Sequence, residues 1–310
     1  MISPECQSIL NYIRCWSEKV RASEAAFDLV LARENFKLAS RPAASLEGKL
    51  FRANGVLSEW VCAPGADPDS RLLLLHGGGF VTGDLDTTVP FAGVLSQSTG
   101  CSILAVDYRL APEHPYPEPL EDALNAYQWL LHHGPRGRRP PGSIFLFGDS
   151  AGGDLALSTL LRLRDQGLRM PECVVTLSAL TDLSLSGDSI VSRAGLDPVL
   201  DPASLRRCVD AYLSGTHPRN PDVSPLFADL RGLPQLFMQV GGREILLDDT
   251  LRFAEKAAAA GVAVMLNVWP EMFHCWQMYA PFVPESQRAL DRVATFIRGF
   301  VRPQGGPGPG

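Results

Sequence analysis

Short, uninterrupted runs of apolar residues recur along this chain of 310 residues and constrain its fold more than any other feature. The clearest are LLLL at 72–75 and IFLF at 144–147. Such short runs without polar alternation are typical of strands that are buried on both faces of a parallel sheet. The sequence therefore predicts a sheet that is covered on both sides.

Helical patterns alternate with these strand-like runs along most of the sequence. Further strand-like runs occur at 55–63, 102–107, 173–177, 235–240 and 262–268. Apolar residues at helical spacing occupy 120–131, 152–165 and 248–260 in between. This alternation predicts an α/β fold with a mostly parallel central sheet flanked by helices.

The interval from 183 to about 230 departs from this rhythm. It contains several prolines and one helical stretch near 203–213, but no clear strand. Because so long an excursion in a compact domain usually has a function, we interpret 183–230 as a helical cap over an active site. The flanking parts, 46–182 and 231–302, then form one catalytic α/β domain.

The two ends of the sequence have their own character. Helical patterns at 8–38 precede the first strand, and polar residues among them leave no apolar core for a secretory signal. The tail 303–310 consists mostly of Gly and Pro and is expected to be disordered. No stretch approaches the ~20 apolar residues of a membrane-spanning helix. We therefore expect a cytoplasmic protein without stable membrane insertion.

Charge and cysteine usage exclude some functions. The formal net charge of −6 argues against a nucleic-acid partner, because proteins that bind nucleic acids usually carry clustered basic residues. Seven cysteines are scattered without a CxxC pair, which is typical of free thiols and not of a zinc site or a disulfide framework. The sequence calls for no metal and no other cofactor.

The segment Gly148-Asp149-Ser150-Ala151-Gly152 matches the pattern G-x-S-x-G. In that pattern the serine lies on the sharp turn between a buried strand and a helix. The turn exposes the serine hydroxyl to a substrate. Small residues are needed around it because the strand and helix backbones approach closely. Here the strand-like SIFLF precedes the pattern and the helical LALSTLLRLR follows it. Ser150 is therefore the predicted nucleophile.

A glycine loop, His76-Gly77-Gly78-Gly79, directly follows the run at 72–75. Backbone N–H groups without neighbouring side chains can donate to the negative oxygen that forms when an acyl group is attacked. Such a loop ahead of a G-x-S-x-G turn is typical of lipases and esterases. The two elements together predict acyl transfer.

Four segments together resemble the hormone-sensitive-lipase-like family of bacterial esterases, which have the α/β-hydrolase fold. They are HGGGF at 76–80, DYRLAPEHPYP at 107–117, GDSAGG at 148–153 and FHCW at 273–276. The resemblance implies that the N–H groups of Gly78, Gly79 and Ala151 form an oxyanion hole. It also implies that N-terminal helices within 1–45 join the cap and that a homodimer can form.

The predicted general base is His274. A serine hydroxyl needs a neutral imidazole to take its proton. His274 follows the last strand-like run and so falls at the carboxyl edge of the sheet, where Ser150 is also expected. Its late position fits the order nucleophile, acid, histidine of this fold, and FHCW fits the family. Cys275, beside it, is interpreted as a packed thiol.

The acid of the triad should leave the strand before the histidine's own. Two candidate carboxylates, Glu244 and Asp248, follow the run 235–240. Glu244 lies where members of the resembled family commonly have D-P-L or E-x-L, and we predict it as the acid. Asp248 is the alternative, although with Asp249 it can simply favour the start of the next helix.

The predicted function is that of a carboxylesterase acting on short- to medium-chain esters through an acyl-enzyme. The small-molecule ester is expected to contact apolar side chains, namely Phe80, Val199, Leu200, Tyr212 and Leu213. An amidase, a lactonase or a deacetylase is an alternative, because the triad does not decide which bond is cleaved. Another is a non-catalytic receptor of the same fold, but such receptors lack the catalytic histidine.

Overall fold

An eight-stranded sheet forms the centre of the computed structural model, which describes residues 2–23, 29–39 and 49–301. Ten strands lie in this described part of the chain: β1 (Leu50–Ala53), β2 (Val56–Val61), β3 (Asp67–Leu75), β4 (Cys101–Asp107), β5 (His133–Gly134), β6 (Gly137–Arg138), β7 (Ser143–Asp149), β8 (Cys173–Leu177), β9 (Gln235–Gly241) and β10 (Val264–Trp269). β5 and β6 form a separate short hairpin. The others make up the sheet in the order β1-β2-β4-β3-β7-β8-β9-β10.

Most of the sheet is parallel, as predicted. β1 and β2 are antiparallel to their neighbours, whereas β4, β3, β7, β8, β9 and β10 pair in parallel. All seven strand-like runs of the sequence form strands of this sheet, and the short β1 was not predicted. Because β3, β7, β8 and β9 are parallel, the loops that follow them meet at one edge of the sheet.

Helices cover both faces of the sheet. Within the described residues they are α1 (Pro4–Ser23), α2 (Leu29–Ala39), α3 (Leu85–Thr99), α4 (Glu118–Leu130), α5 (Ala151–Asp165), α6 (Ser189–Ser192), α7 (Pro202–Leu213), α8 (Leu247–Ala259) and α9 (Pro284–Arg298). The predicted helices at 120–131, 152–165 and 248–260 correspond to α4, α5 and α8. The sequence reasoning missed α3 and α9.

The leucines of β3 follow one another without polar residues because both faces of this strand are buried. Leu72 and Leu74 pack with Phe91 of α3 in the core on one face of the sheet. Leu73 packs with Leu155 of α5 in the core on the other face. All of these leucines are fully buried. Both faces of the strand are therefore covered by helices, as the sequence pattern indicates.

The predicted cap segment 183–230 contains α6, α7 and a short 3-10 helix, Pro225–Phe227, and this fully described range contributes no strand. α7 packs against the loop after β3, where the rings of Phe80 and Tyr212 stack with centroids 3.8 Å apart. The assignment of 183–230 to a cap over the site stays a prediction.

The N-terminal helices make separate contacts with the domain. α1 packs near α9, and Ser3 Oγ donates a hydrogen bond to Glu285. α2 lies against the loop after β3, because the Arg33 guanidinium donates to the carbonyl of Val81. Residues 1, 24–28 and 40–45 of the predicted range 1–45 lie outside the described residues, as does the predicted tail 303–310.

β10 lies at an open edge of the sheet and exposes Met265, Leu266 and Val268. The homodimer implied by the family resemblance stays a prediction. Among the described helices, none combines the length and the apolar character that crossing a bilayer requires.

Candidate active site

The turn from β7 into α5 holds Ser150 in a strained conformation. Ser150 has φ 52° and ψ −120°, a backbone region that non-glycine residues rarely adopt. Its N–H donates to the carbonyl of Leu177 at 2.8 Å. A Cβ on Gly148 would collide with the carbonyl of Gly152, and one on Gly152 with the carbonyl of Leu75. These contacts are the physical reason for the glycine spacing of the G-x-S-x-G pattern.

Three of the predicted site residues form one chain of contacts. His274 Nε2 lies 3.0 Å from Ser150 Oγ, and His274 Nδ1 lies 3.0 Å from a carboxylate oxygen of Glu244. All three side chains are at most 8% exposed. The contacts let Nδ1–H donate to Glu244, which leaves Nε2 with a lone pair directed toward the serine hydroxyl.

The loops after β9 and β10 bring the acid and the base together. The N–H of Arg243 donates to the carbonyl of Met272 at 3.1 Å, which ties the two loops to each other. Glu244 sits in a tight turn in which the N–H of Gly241 donates to its carboxylate. The same carboxylate oxygen accepts a hydrogen bond of 2.7 Å from Ser178 Oγ. Glu244 is thus fixed by two donors in addition to His274.

The alternative acid lies in a different environment. The carboxylate of Asp248 accepts from the N–H of Ser189 in α6 at 2.8 Å, and Ser189 Oγ accepts from the N–H of Asp248. Asp248 therefore joins α8 to the segment 183–230. Of the two carboxylates that the sequence left open, the structure brings Glu244 and not Asp248 to His274.

Gly78 and Gly79 lie in the loop after β3. Because they lack side chains, their backbone N–H groups are not covered by side-chain atoms of their own. Both have positive φ, 121° and 63°. The carbonyl of Gly78 accepts from the N–H of Thr82 at 3.0 Å, which closes the loop into a turn. The N–H groups of Gly78, Gly79 and Ala151 take no part in the backbone hydrogen bonds of these described loops. Their role as an oxyanion hole stays a prediction that this geometry permits.

His76 and Tyr108 hold the glycine loop in place. Their rings stack with centroids 4.2 Å apart, and the Tyr108 hydroxyl donates to the carbonyl of His76 at 2.7 Å. Nδ1 of His76 lies 2.7 Å from the carbonyl of Gly77. Burial lowers the pKa of His76 to about 4, so the ring is neutral at pH 7. The DYR segment thus has a structural role beside the site.

A pocket of about 200 Å³ opens at Ser150. Its wall is mainly apolar and includes Phe36, Leu74, Pro90, Phe91, Met278 and Tyr279. Phe91 and Pro90 come from α3, and Met278 lies in a short 3-10 helix, Trp276–Tyr279, that begins two residues after His274. The sequence reasoning missed these residues, although the position of Met278 and Tyr279 two and three residues after FHCW was an available signal.

Of the five predicted substrate contacts, Val199 lines this pocket. The other four, namely Phe80, Leu200, Tyr212 and Leu213, do not border it and pack in or against the core that includes Leu155. Phe80 and Tyr212 have no exposed surface because they stack on each other between the glycine loop and α7. Their apolar character serves the packing of the segment 183–230 on the domain.

A larger cavity of about 900 Å³ lies elsewhere, between α2 and the edge formed by β1 and β2. It is lined by charged side chains such as Arg33, Lys37 and Asp107, but by none of the proposed catalytic residues. The smaller, apolar pocket is the one that adjoins the serine hydroxyl.

The electrostatics favour a basic His274. Burial opposes its charged form, but the contacts with Cys275 and Glu244 outweigh burial and raise the pKa of His274. Burial raises the pKa of the Cys275 thiol to about 11, so this thiol is neutral at pH 7. Glu244, which contacts Nδ1, therefore supplies negative charge that stabilises the imidazolium. Burial also raises the pKa of Asp149 to about 6, although His274 counteracts this.

Among the residues that the structure describes, no three His, Cys, Asp or Glu side chains lie close enough together to hold a metal ion. The prediction that no cofactor is needed stays a prediction. What the arrangement can do chemically is to move a proton between Ser150 Oγ and His274 Nε2 beside an apolar pocket.

Comparisons with known proteins agree with this geometry. A family model described as the alpha/beta hydrolase fold matches residues 72–278. An acetyl-hydrolase of Streptomyces hygroscopicus is 38% identical over 302 residues, which are 96% of this chain and 97% of the acetyl-hydrolase. The α/β-hydrolase fold expected from the resemblance is thereby confirmed.

Two solved structures are similar over almost their whole length. An esterase from the bacterial hormone-sensitive lipase family superposes with a TM-score of 0.89 at 39% identity, over 97% of this chain and 100% of that one. The structure of EstE5 soaked with p-nitrophenyl butyrate superposes with a TM-score of 0.88 at 37% identity, over 96% of this chain and 98% of that one.

Proposed function

Since this chain belongs to the bacterial hormone-sensitive lipase family and is a carboxylic ester hydrolase, we propose that it cleaves short- to medium-chain esters through Ser150, His274 and Glu244. The observation that carries the proposal is the buried chain of contacts from Glu244 through His274 to Ser150 Oγ. A serine hydroxyl is unreactive at its free pKa, and this arrangement supplies the base that activates it.

In the first half of the proposed reaction, His274 Nε2 takes the proton of Ser150 Oγ while this oxygen attacks the ester carbonyl. The negative oxygen that forms accepts hydrogen bonds from the N–H groups of Gly78, Gly79 and Ala151. His274 then gives its proton to the departing alcohol, and the acyl group stays on Ser150 as an ester.

In the second half, His274 takes a proton from a water molecule, and the resulting hydroxide attacks the acyl-enzyme. The protonated His274 returns its proton to Ser150 Oγ, and the carboxylic acid leaves. Glu244 holds the imidazole in the correct tautomer throughout and stabilises each imidazolium. The mechanism uses only side chains, backbone N–H groups and water.

The preference for short acyl chains is supported by the pocket. A volume of about 200 Å³ with a mainly apolar wall suits a small acyl group better than a long one. The acetyl-hydrolase relative and the p-nitrophenyl butyrate soak of EstE5 also favour acyl groups of this size. An acetyl ester of a larger alcohol is thus the second candidate substrate.

The experiment is hydrolysis of p-nitrophenyl esters from acetate to palmitate by the wild-type protein and by Ser150→Ala. We expect turnover of the acetate and butyrate that falls for longer chains, and no turnover by the folded variant. Activity of Ser150→Ala equal to that of the wild type would contradict the mechanism. A preference for palmitate would contradict the proposed acyl chain length. A matching anilide separates an esterase from an amidase.

A further inference from the structure

A third carboxylate lies beside the proposed catalytic residues, and it comes from the segment 183–230. Asp197 lies between α6 and α7 and is 1% exposed. Its charge interacts with both His274 and Glu244. A buried carboxylate is costly unless it is hydrogen-bonded or paired, so its presence here requires an explanation.

The two oxygens of Asp197 have different partners. Oδ2 accepts from the N–H of Ile245 at 3.3 Å, and Ile245 directly follows Glu244. Oδ1 accepts from the N–H groups of Val199 at 3.0 Å and Leu200 at 3.4 Å. Val199 lines the pocket at Ser150. One carboxylate therefore joins the turn that carries the acid to the pocket wall.

We propose that Asp197 is a positioning residue of the active site, which fixes the Glu244 turn, holds Val199 in the pocket wall and stabilises the His274 imidazolium by its charge. The inference rests on the proposed roles of Ser150, His274 and Glu244. It also gives the segment 183–230 a part in catalysis, because the charge that it contributes acts on the base.

The sign of the electrostatic effect follows from the groups around the imidazole. The titratable groups that interact with His274 are Glu244, Asp197, Asp149 and Cys275. Burial raises the pKa of Asp197 to about 6, an effect that His274 counteracts, so Asp197 is mostly ionised at pH 7 and above. Its negative charge favours the imidazolium, and its removal lowers the pKa of His274.

The first test variant is Asp197→Asn. The amide oxygen can still accept from Val199 and Leu200, but the amide NH2 faces the N–H of Ile245 and the charge is gone. For p-nitrophenyl acetate we expect kcat to fall about tenfold with little change in KM, since the imidazolium of the transition state loses stabilisation. The acid limb of kcat/KM should move to lower pH, by up to about one unit.

Asp201→Asn is the matched control from the same segment. Asp201 caps α7 by accepting from the N–H groups of Ala203 and Ser204, and asparagine caps a helix equally well. We expect this variant to keep the wild-type kcat and pH profile. Asp197→Glu restores the charge, so its acid limb should return toward that of the wild type even if its longer side chain lowers kcat.

A purely structural role of Asp197 would give a different result. A lower melting temperature with an unmoved acid limb, or an unchanged kcat, would overturn the proposal. If Asp197→Asn does not fold, Asp197→Ser gives the same test, because serine supplies an uncharged acceptor for such a turn.

Direct titration of His274 by NMR separates this inference from the proposed function. Comparison with His274→Gln assigns its signal among the six histidines of the chain. We expect a lower pKa of His274 in Asp197→Asn than in the wild type, and an equal pKa would overturn the inference. If Ser150→Ala kept full activity, the proposed function would fail, but this titration would still decide the role of Asp197.

Discussion

Ser178 Oγ donates a hydrogen bond of 2.7 Å to Glu244, and Ser178 has no exposed surface. Ser178 directly follows β8, so a third strand end supports the acid, through the carboxylate oxygen that does not contact His274. Ser178 Oγ also accepts from the N–H of Cys275 at 3.3 Å, which links Ser178 to the loop of His274 as well.

We predict that Ser178→Ala lowers kcat about tenfold or more, because a hydrogen bond to a charged group contributes about 1.5–3 kcal/mol. KM should change little, since Ser178 does not line the pocket. The matched control is Ser70→Ala, because Ser70 is also buried and donates to a carboxylate, that of Asp67, at 2.8 Å, far from the site. Equal kcat values for the two variants would contradict the role of Ser178.

The identity of the acid is tested by Glu244→Gln and Asp248→Asn. Glu244→Gln should lower kcat by about 10³- to 10⁴-fold, the effect of replacing a triad carboxylate by an amide. Asp248→Asn should keep most of the activity, because Asp248 contacts Ser189 and not His274. Steady-state kinetics of both folded variants decide between the two, and an inactive Asp248→Asn would make Asp248 the acid.

The pH dependence follows from the raised pKa of His274. The imidazole must be neutral to take a proton, so activity is lost as the pH falls through its pKa. Because the net effect of burial and of the contacts with Cys275 and Glu244 raises that pKa above the ordinary value of 6.5, we expect the acid limb of kcat/KM above pH 6.5. The profile is measured with p-nitrophenyl acetate. A midpoint of the acid limb below pH 6.5 would show that burial outweighs the Glu244 contact in setting the pKa of His274.

We predict that thiol reagents inactivate the enzyme slowly by modifying Cys275. Its Sγ lies 3.5 Å from His274 Nε2 and its side chain lines the pocket, so a bulky adduct would block Ser150. Since burial raises the pKa of the thiol to about 11, we expect inactivation to be slow at pH 7 and faster at pH 9. Cys275→Ser should resist the reagent, and a variant as sensitive as the wild type would contradict this.

Gly152→Ala should strongly destabilise the protein. A Cβ at this position would collide with the carbonyl oxygens of Leu75 and His76, which are backbone atoms and cannot move aside easily. Gly142→Ala is the control, because its Cβ would meet nothing closer than 3.6 Å. Thermal unfolding should show a loss of several kcal/mol for Gly152→Ala, within the range of severe core overpacking, and less than about 1 kcal/mol for the control.

The central fold could be predicted because it depends on local patterns. The apolar runs of β3 and β7 and the alternation of strands with helices specify a parallel sheet whose strand ends meet at one edge. α3 escaped prediction since it contains Pro90 and begins at a capping box of Asp84 and Thr87 that precedes no clear apolar periodicity. α9 has such a periodicity, with Leu290, Val293 and Ile297 buried, and was overlooked.

The site was predictable only where a residue follows a motif. Ser150 and His274 have distinctive neighbours in the sequence, and Glu244 has a register relative to the family. Ser178 and Asp197 have none, because they contact the loop of Glu244 from positions that are 66 and 48 residues away in the sequence. Phe80 and Tyr212 lie in the packed core, and apolar character in a sequence does not distinguish a pocket wall from such a core.

The chain of contacts from Glu244 to Ser150 has a consequence for how the enzyme becomes active. Its two links join residues 30 and 124 positions apart, and each residue follows a different strand. Contacts between such distant parts of a chain carry an entropic cost, because the long loops between them must close. Catalytic competence therefore requires the ends of three strands to be in place together, and recovery of hydrolysis reports the assembly of this part of the sheet during refolding.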